Sequence, residues 1–312
     1  MNETILESID PEVADRLIKS GDEIAQGRTK SSWVGAALAM GSVPIALAAL
    51  SKDAFGQAST SVQGVLNFAL MLEIFENEFY KAVLGASSVT AQNTAFAAVR
   101  AKVSPAAQAA IAQIQLHEKA HVDTLTAAGA VNTLKLDGTS FDFTGARGAG
   151  NGPFAQATTD LNFLLLTAQG AEDTGVRAYK GQAANLMSSP ATLEAALRIH
   201  SVEARHASKI RRLRRQTGAP SNVRYSGVVS GAGSTAIGAD NVSSPAAGAV
   251  TALTAIYAGE DNTTQGTVAV TGLSNLPTSN FGTNAPSEAF DEPLTMAAVI
   301  AIVQPFFIPS LS

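Results

Sequence analysis

The residues of this 312-residue chain best placed to do chemistry come in two glutamate–histidine pairs. Glu118 and His121 stand three residues apart, and so do Glu203 and His206. On a helix that spacing puts carboxylate and imidazole on one face, about a turn apart. A carboxylate so placed can bridge two cations while the histidine terminates one. Two single carboxylates, Glu73 and Glu172, each precede a tyrosine by seven residues, Tyr80 and Tyr179, two turns on along the same stripe. Four carboxylates carry a charge of about −4, and burying them unpaired is prohibitive unless cations neutralise them. Glu73, Glu118, His121, Glu172, Glu203 and His206 are therefore the candidate ligands of a dinuclear metal site. Tyr80 and Tyr179 are candidates for orienting those ligands or donating electrons beside them. His117 and His200 fall off the ligand face and read as ordinary histidines. Glu76 and Glu78 are less constrained, and no catalytic residue separate from the metal ligands is assigned.

The elements that must position these residues are duplicated. SPAAQAAIAQIQLHEKAH (104–121) returns as SPATLEAALRIHSVEARH (189–206), with serine, proline, glutamate and histidine all at a constant spacing of 85. Serine at an N-cap accepts from a free backbone N–H, and proline just inside the helix gives up a donor that has no partner there. The spacing predicts helices from Pro105 to about Ala128 and from Pro190 to about Gln216. The helices bearing the single carboxylates repeat as well, with Glu73, Tyr80 and Lys81 echoed at a spacing of 99 by Glu172, Tyr179 and Lys180. Apolar residues at helical spacing around Leu66, Leu70, Phe75 and Phe79 mark the first of these as a core helix. The Gly-rich and polar stretch 129–157 reads as a long crossover connection. The basic run Lys209, Arg211, Arg212, Arg214, Arg215 closes the fourth helix and suits its C-terminal dipole.

With 46% apolar and 15% charged residues, the chain can bury one sizeable core. A net charge of −5 argues against a nucleic-acid partner. The absence of cysteine excludes disulfides, thiolate nucleophiles and cysteine-ligated zinc or iron–sulfur centres, leaving oxygen and imidazole ligands. Four regions follow: an N-terminal segment 1–58, a bundle 59–216, an irregular Gly/Ser/Thr-rich excursion 217–289 with short β-prone pieces at 223–229 and 266–271, and a C-terminal helix and tail 290–312. Within the first, the uncharged stretch 33–50 reads as the apolar core of an export signal, as a membrane anchor or as a buried hairpin. The corresponding locations are export to the periplasm, association with the membrane, or the cytoplasm.

LNFALMLEIFENEFY (66–80), LTAQGAEDTGVRAYKG (166–181) and AFDEPLTMAAVIAIV (289–303) resemble the ferritin-like proteins related to desiccation-related proteins. That resemblance implies an all-α, ferritin-like four-helix bundle with a long crossover and a fifth, C-terminal helix from Pro293 to about Phe306. Rubrerythrins and ferritins share the ligand pattern, which implies two iron ions, with manganese equally compatible with the donors, and dioxygen or peroxide as the small-molecule substrate of a stress-protective protein. The chain lacks the cysteine-ligated module through which rubrerythrins receive electrons. A rival expectation is a non-catalytic structural or interaction protein in which the excursion mediates assembly, including a homo-oligomer.

Overall fold

The computed structural model describes residues 61–219, 242, 246–272 and 288–311. Four long helices dominate: α1 (Val62–Leu84), α4 (Pro105–Ala127), α5 (Leu161–Gln182) and α6 (Pro190–Gln216). The expected all-α bundle is what the chain forms. α1 packs along α4 and α5 along α6, giving two helical pairs that face each other across the core. Ser61 caps α1 by accepting from Gly64 N at 3.0 Å, and Gly85 ends it with φ 79°, the left-handed conformation glycine adopts without strain. Ser104 caps α4 as its sequence predicts, accepting from Ala107 N. Ser189 departs from that pattern: its Oγ lies 2.8 Å from Thr192 Oγ1, so α6 starts without a side-chain cap on its backbone.

The connections are more ordered than their composition predicts. Residues 87–103 contain two short helices, α2 (Thr90–Ala95) and α3 (Ala97–Arg100). The crossover is pinned by its aromatics. Phe141 and Phe143 are buried and pack with Phe75 of α1, and Phe141 forms an isolated antiparallel bridge with Phe307. Asp142 holds the turn that follows, accepting from Thr144 N, Gly148 N and Gly150 N at 2.9–3.0 Å.

The excursion is also corrected. It contains a helix, α7 (Ala247–Ile256), and a two-stranded antiparallel hairpin, β1 (Thr264–Gln265) with β2 (Val268–Ala269), where the sequence predicted only irregular chain with short strands. The final helix, α8 (Met296–Val303), starts three residues later than the Pro293 expected, because Thr295 is its N-cap, and ends in a 3-10 turn at Gln304–Phe306.

These late segments are clamped to α5. Arg177, 2% exposed, donates through Nε to Glu292 O at 2.6 Å and through its terminal nitrogens to Ile256 O and Ala258 O, and lies 3.1 Å from the buried carboxylate of Glu260. Leu294 N donates to Arg177 O, and Gly181 lies so close beneath that a Cβ there would stand 1.9 Å from Leu294 O. The basic run of α6 is not all solvated: Arg211 pairs with Asp173, and fully buried Arg214 donates to Gln169 Oε1 at 2.8 Å.

No helix among the described residues is long and apolar enough to cross a membrane. The stretch 33–50, the β-prone piece 223–229 and the leading segment 1–58 lie outside the described residues.

Candidate metal centre

The six residues singled out by spacing meet in the middle of the bundle, one or two from each long helix. α1 brings Glu73, α4 brings Glu118 and His121, α5 brings Glu172, and α6 brings Glu203 and His206, all buried. They form two overlapping groups. Glu73, Glu118, His121 and Glu203 offer ligand atoms within 4.8 Å of one another, and so do Glu118, Glu172, Glu203 and His206. Glu118 and Glu203 belong to both groups, which is the placement of bridging carboxylates. Glu73 with His121 and Glu172 with His206 stand at the two ends.

The polar atoms in this centre satisfy one another poorly. His121 Nδ1 has three carboxylate oxygens at 3.0–3.1 Å, from Glu73, Glu118 and Glu203, and a single N–H cannot serve all three. His206 Nδ1 lies 2.7 Å from Glu118 Oε1, yet neither atom has an aligned hydrogen bond. Glu172 Oε2 and both oxygens of Glu203 are likewise buried without a partner. Orphaned carboxylate oxygens in a dry core are costly. A cation among them makes each lone pair useful, and oxygen with imidazole is the donor set of iron, manganese or zinc. The residues present therefore fit a pair of metal ions.

The tyrosines act crosswise. Tyr80 of α1 donates to Glu172 of α5, and Tyr179 of α5 donates to Glu73 of α1. Burial first, and the neighbouring carboxylates second, raise both phenols well above their ordinary range, so both stay donors. Each fixes one oxygen of a terminal carboxylate and turns the other toward the centre.

Two residues passed over by the spacing argument are also here. His117 is half-buried, not an off-face bystander: its Nδ1 lies 2.9 Å from His206 Nε2, with the rings stacked at 5.2 Å. With Nδ1 of His206 among the carboxylates, that contact orients the ring from behind. Gln113 continues the chain to the surface, its Nε2 2.8 Å from His117 Nε2. Glu76, a fifth buried carboxylate, has an unpartnered Oε2 and is raised by burial first and then by Glu203, Glu118, Glu172 and Glu73. It stands three residues after Glu73, the spacing that identified the histidines. Its counterpart at the 99-residue repeat is Gly175, where a Cβ would meet Glu203 Oε2 at 2.9 Å and Glu76 Oε1 at 3.3 Å. The repeat thus keeps one carboxylate and leaves its twin position vacant to house it. Glu78 pairs with Lys81 at 2.6 Å, and His200 is an ordinary partly buried histidine, as expected.

The electrostatics set a pH dependence. Burial opposes the charged form of His121, but hydrogen bonds to Glu118, Glu203 and Glu73 outweigh it and raise the group to about 12; Glu118 and Glu172 likewise raise His206 to about 10 against burial. Burial lifts Glu118 to about 7, against the pull of the two histidines beside it. Each folded value lies above its ordinary one, so at pH 7.5 the metal-free centre holds protons on both imidazoles. Metal must displace them. Burial and the neighbouring carboxylates also raise Glu203 well above its ordinary range, so loading metal-free protein at pH 7.5 should release at least two protons per chain, read by titration calorimetry in buffers of different ionisation enthalpy, and affinity should fall as pH is lowered. Loading without proton release would exclude the histidines as ligands.

The model of a protein family described as a ferritin-like domain matches residues 61–216, half of the chain. No curated protein and no solved structure matches it. The matched span begins with the cap of α1 and ends with α6, so it holds all six residues of the centre.

Proposed function

The chain belongs to the ferritin-like domain family, and on that premise we propose that it is a dinuclear metal protein, with iron or manganese as the metal, that reduces dioxygen or peroxide in a stress-protective role. The observation that carries this reading is the pair of overlapping ligand groups sharing Glu118 and Glu203. Glu73, Glu118, His121 and Glu203 would hold one ion, and Glu118, Glu172, Glu203 and His206 the other. When bound in the reduced state, each ion would supply one electron, two for the pair, to an oxygen species, and a reductant from outside the chain would restore them.

The protein's own contribution is positional and protic. Tyr80 and Tyr179 keep Glu172 and Glu73 from rotating away from the ions. His117 holds the ring of His206 from behind. Glu76, kept protonated by burial and by the carboxylates around it, is a source of the proton that reduced oxygen requires. The apolar residues of α1 and α5 keep bulk water off the centre, so its charges act at short range in a low dielectric.

Elemental analysis of protein purified without chelator, followed by oxidant consumption by the iron-loaded form, tests this reading. About two ions per chain and faster loss of dioxygen or peroxide than with free ferrous iron are expected. Fewer than about one ion per chain, or no acceleration of either oxidant, would leave the bundle as a structural or interaction protein.

A further inference from the structure

The 85-residue repeat that duplicates the candidate ligands does not duplicate what stands behind them. His117 of α4 holds Nε2 of His206 at 2.9 Å, and its counterpart 85 residues later is Val202 of α6. Valine has no polar atom to offer. His121, which the repeat pairs with His206, turns Nδ1 toward Glu73, Glu118 and Glu203, and among the described residues nothing pairs with its Nε2. That nitrogen is not sealed in: the polar atoms buried without a partner in the centre belong to Glu76, Glu118, Glu172, Glu203 and His206. With 9% of its side chain exposed, His121 is the most open of the six candidate ligands.

The opening is a hollow of ≈ 430 Å³ between α4 and α6, with His121, Ile199 and Val202 on its walls and the exposed side chains of Thr124, Glu194 and Arg198 around it. Ligand sites usually fall between about 300 and 1,000 Å³. A histidine that gives one ring nitrogen to a cation keeps its proton on the other, and that N–H almost always finds an acceptor. For His121 the acceptor must come through the hollow. Arg198 is the cation beside it, and its partner is Glu194 on its own helix, an exposed pair and so a weak one. An incoming carboxylate displaces that pair at little cost. Two divalent ions would neutralise the four carboxylates behind His121, so an anion is not repelled there. Ile199 and Val202 call for an apolar body, which water and inorganic anions lack.

We propose that this hollow binds a small organic monocarboxylate, whose oxygens accept from His121 Nε2–H and from Arg198 and whose apolar body lies on Ile199 and Val202. The acid does for His121 what His117 does for His206, holding the ring from behind without touching a metal. It deepens the proposed function and rests on that reading for the neutral surroundings of His121, so metal content is measured alongside binding.

Titration of the full chain, loaded with redox-silent zinc, with benzoate tests it. Benzoate should bind below millimolar concentration and move the His121 Nε2–H resonance of protein labelled with 15N-histidine. Benzyl alcohol, which lacks the charge, and inorganic phosphate, which lacks the apolar body, should each bind at least about tenfold more weakly by calorimetry. Arg198→Met should cost about threefold in benzoate affinity, the worth of an exposed ion pair. Val202→His, which supplies the imidazole that the other copy has, should cost at least about tenfold. A chain that holds about two zinc ions but ignores millimolar benzoate sinks this site alone. An unmoved His121 resonance, either control probe binding as tightly as benzoate, or both variants binding like the parent overturns it too. Benzoate binding that Val202→His weakens, in protein that takes up no zinc, sinks the reading of the centre and leaves this site standing.

Discussion

Replacing Glu118 and Glu203 together with alanine should leave the purified chain with essentially no bound metal, because these two carboxylates belong to both ligand groups. The parent should hold about two ions. Glu73→Ala and Glu172→Ala each touch one group only, so each should retain about one ion. This graded pattern separates a dinuclear centre from a polar core that binds cations loosely. Thermal unfolding reads the same site independently. At metal a thousandfold above its Kd, one bound ion stabilises the parent by about 4 kcal/mol. The double variant should gain nothing. A double variant that still bound metal, or still gained stability from it, would place the ligands elsewhere.

The second large effect concerns Arg177, which belongs to neither group of candidate ligands. Replaced by leucine, it leaves the Glu260 carboxylate, 1% exposed, without its cation and three backbone carbonyls without their donor. Breaking a buried pair by removing one partner costs about 3–5 kcal/mol. Denaturant unfolding of metal-free protein should show a loss of that size. Gly181→Ala should produce a comparable loss with no change of charge, since its methyl would stand on the Leu294 carbonyl. If both variants unfolded like the parent, the segments after residue 246 would contribute little to the stability of the bundle.

Much of the centre could be read from the sequence, because the constraint there is periodic. A glutamate and a histidine three residues apart, written twice behind the same Ser-Pro start, survive any uncertainty about helix ends. The crosswise pairing of Tyr80 with Glu172 and Tyr179 with Glu73 is a relation between helices, which spacing along one helix does not encode. Glu76 was within reach: it stands three residues after Glu73, but its repeat partner is glycine, so a search for matching chemistry in both copies passes over it. His117 escapes the same search for a related reason. It lies off the ligand face of its own helix but reaches a ligand on another. The fold beyond residue 216 was the least legible. α7 is rich in small residues with no acidic group in its first turn and no side-chain cap, so its helicity owes more to packing against the bundle than to local signals.

The clamp on α5 also sets an order of events. The carbonyls that receive Arg177 belong to residues 79, 81 and 115 positions later in the chain. Helices form in microseconds or less, whereas contacts this remote must first pay the entropy of closing a long loop. During synthesis the four ligand-bearing helices leave the ribosome well before the segment that seals them, and until it arrives a buried guanidinium lies open on α5. Maturation of the fold is thus a late, high-contact-order step. Nascent chains stalled short of residue 292 would carry the complete set of candidate ligands on a bundle that has not yet locked.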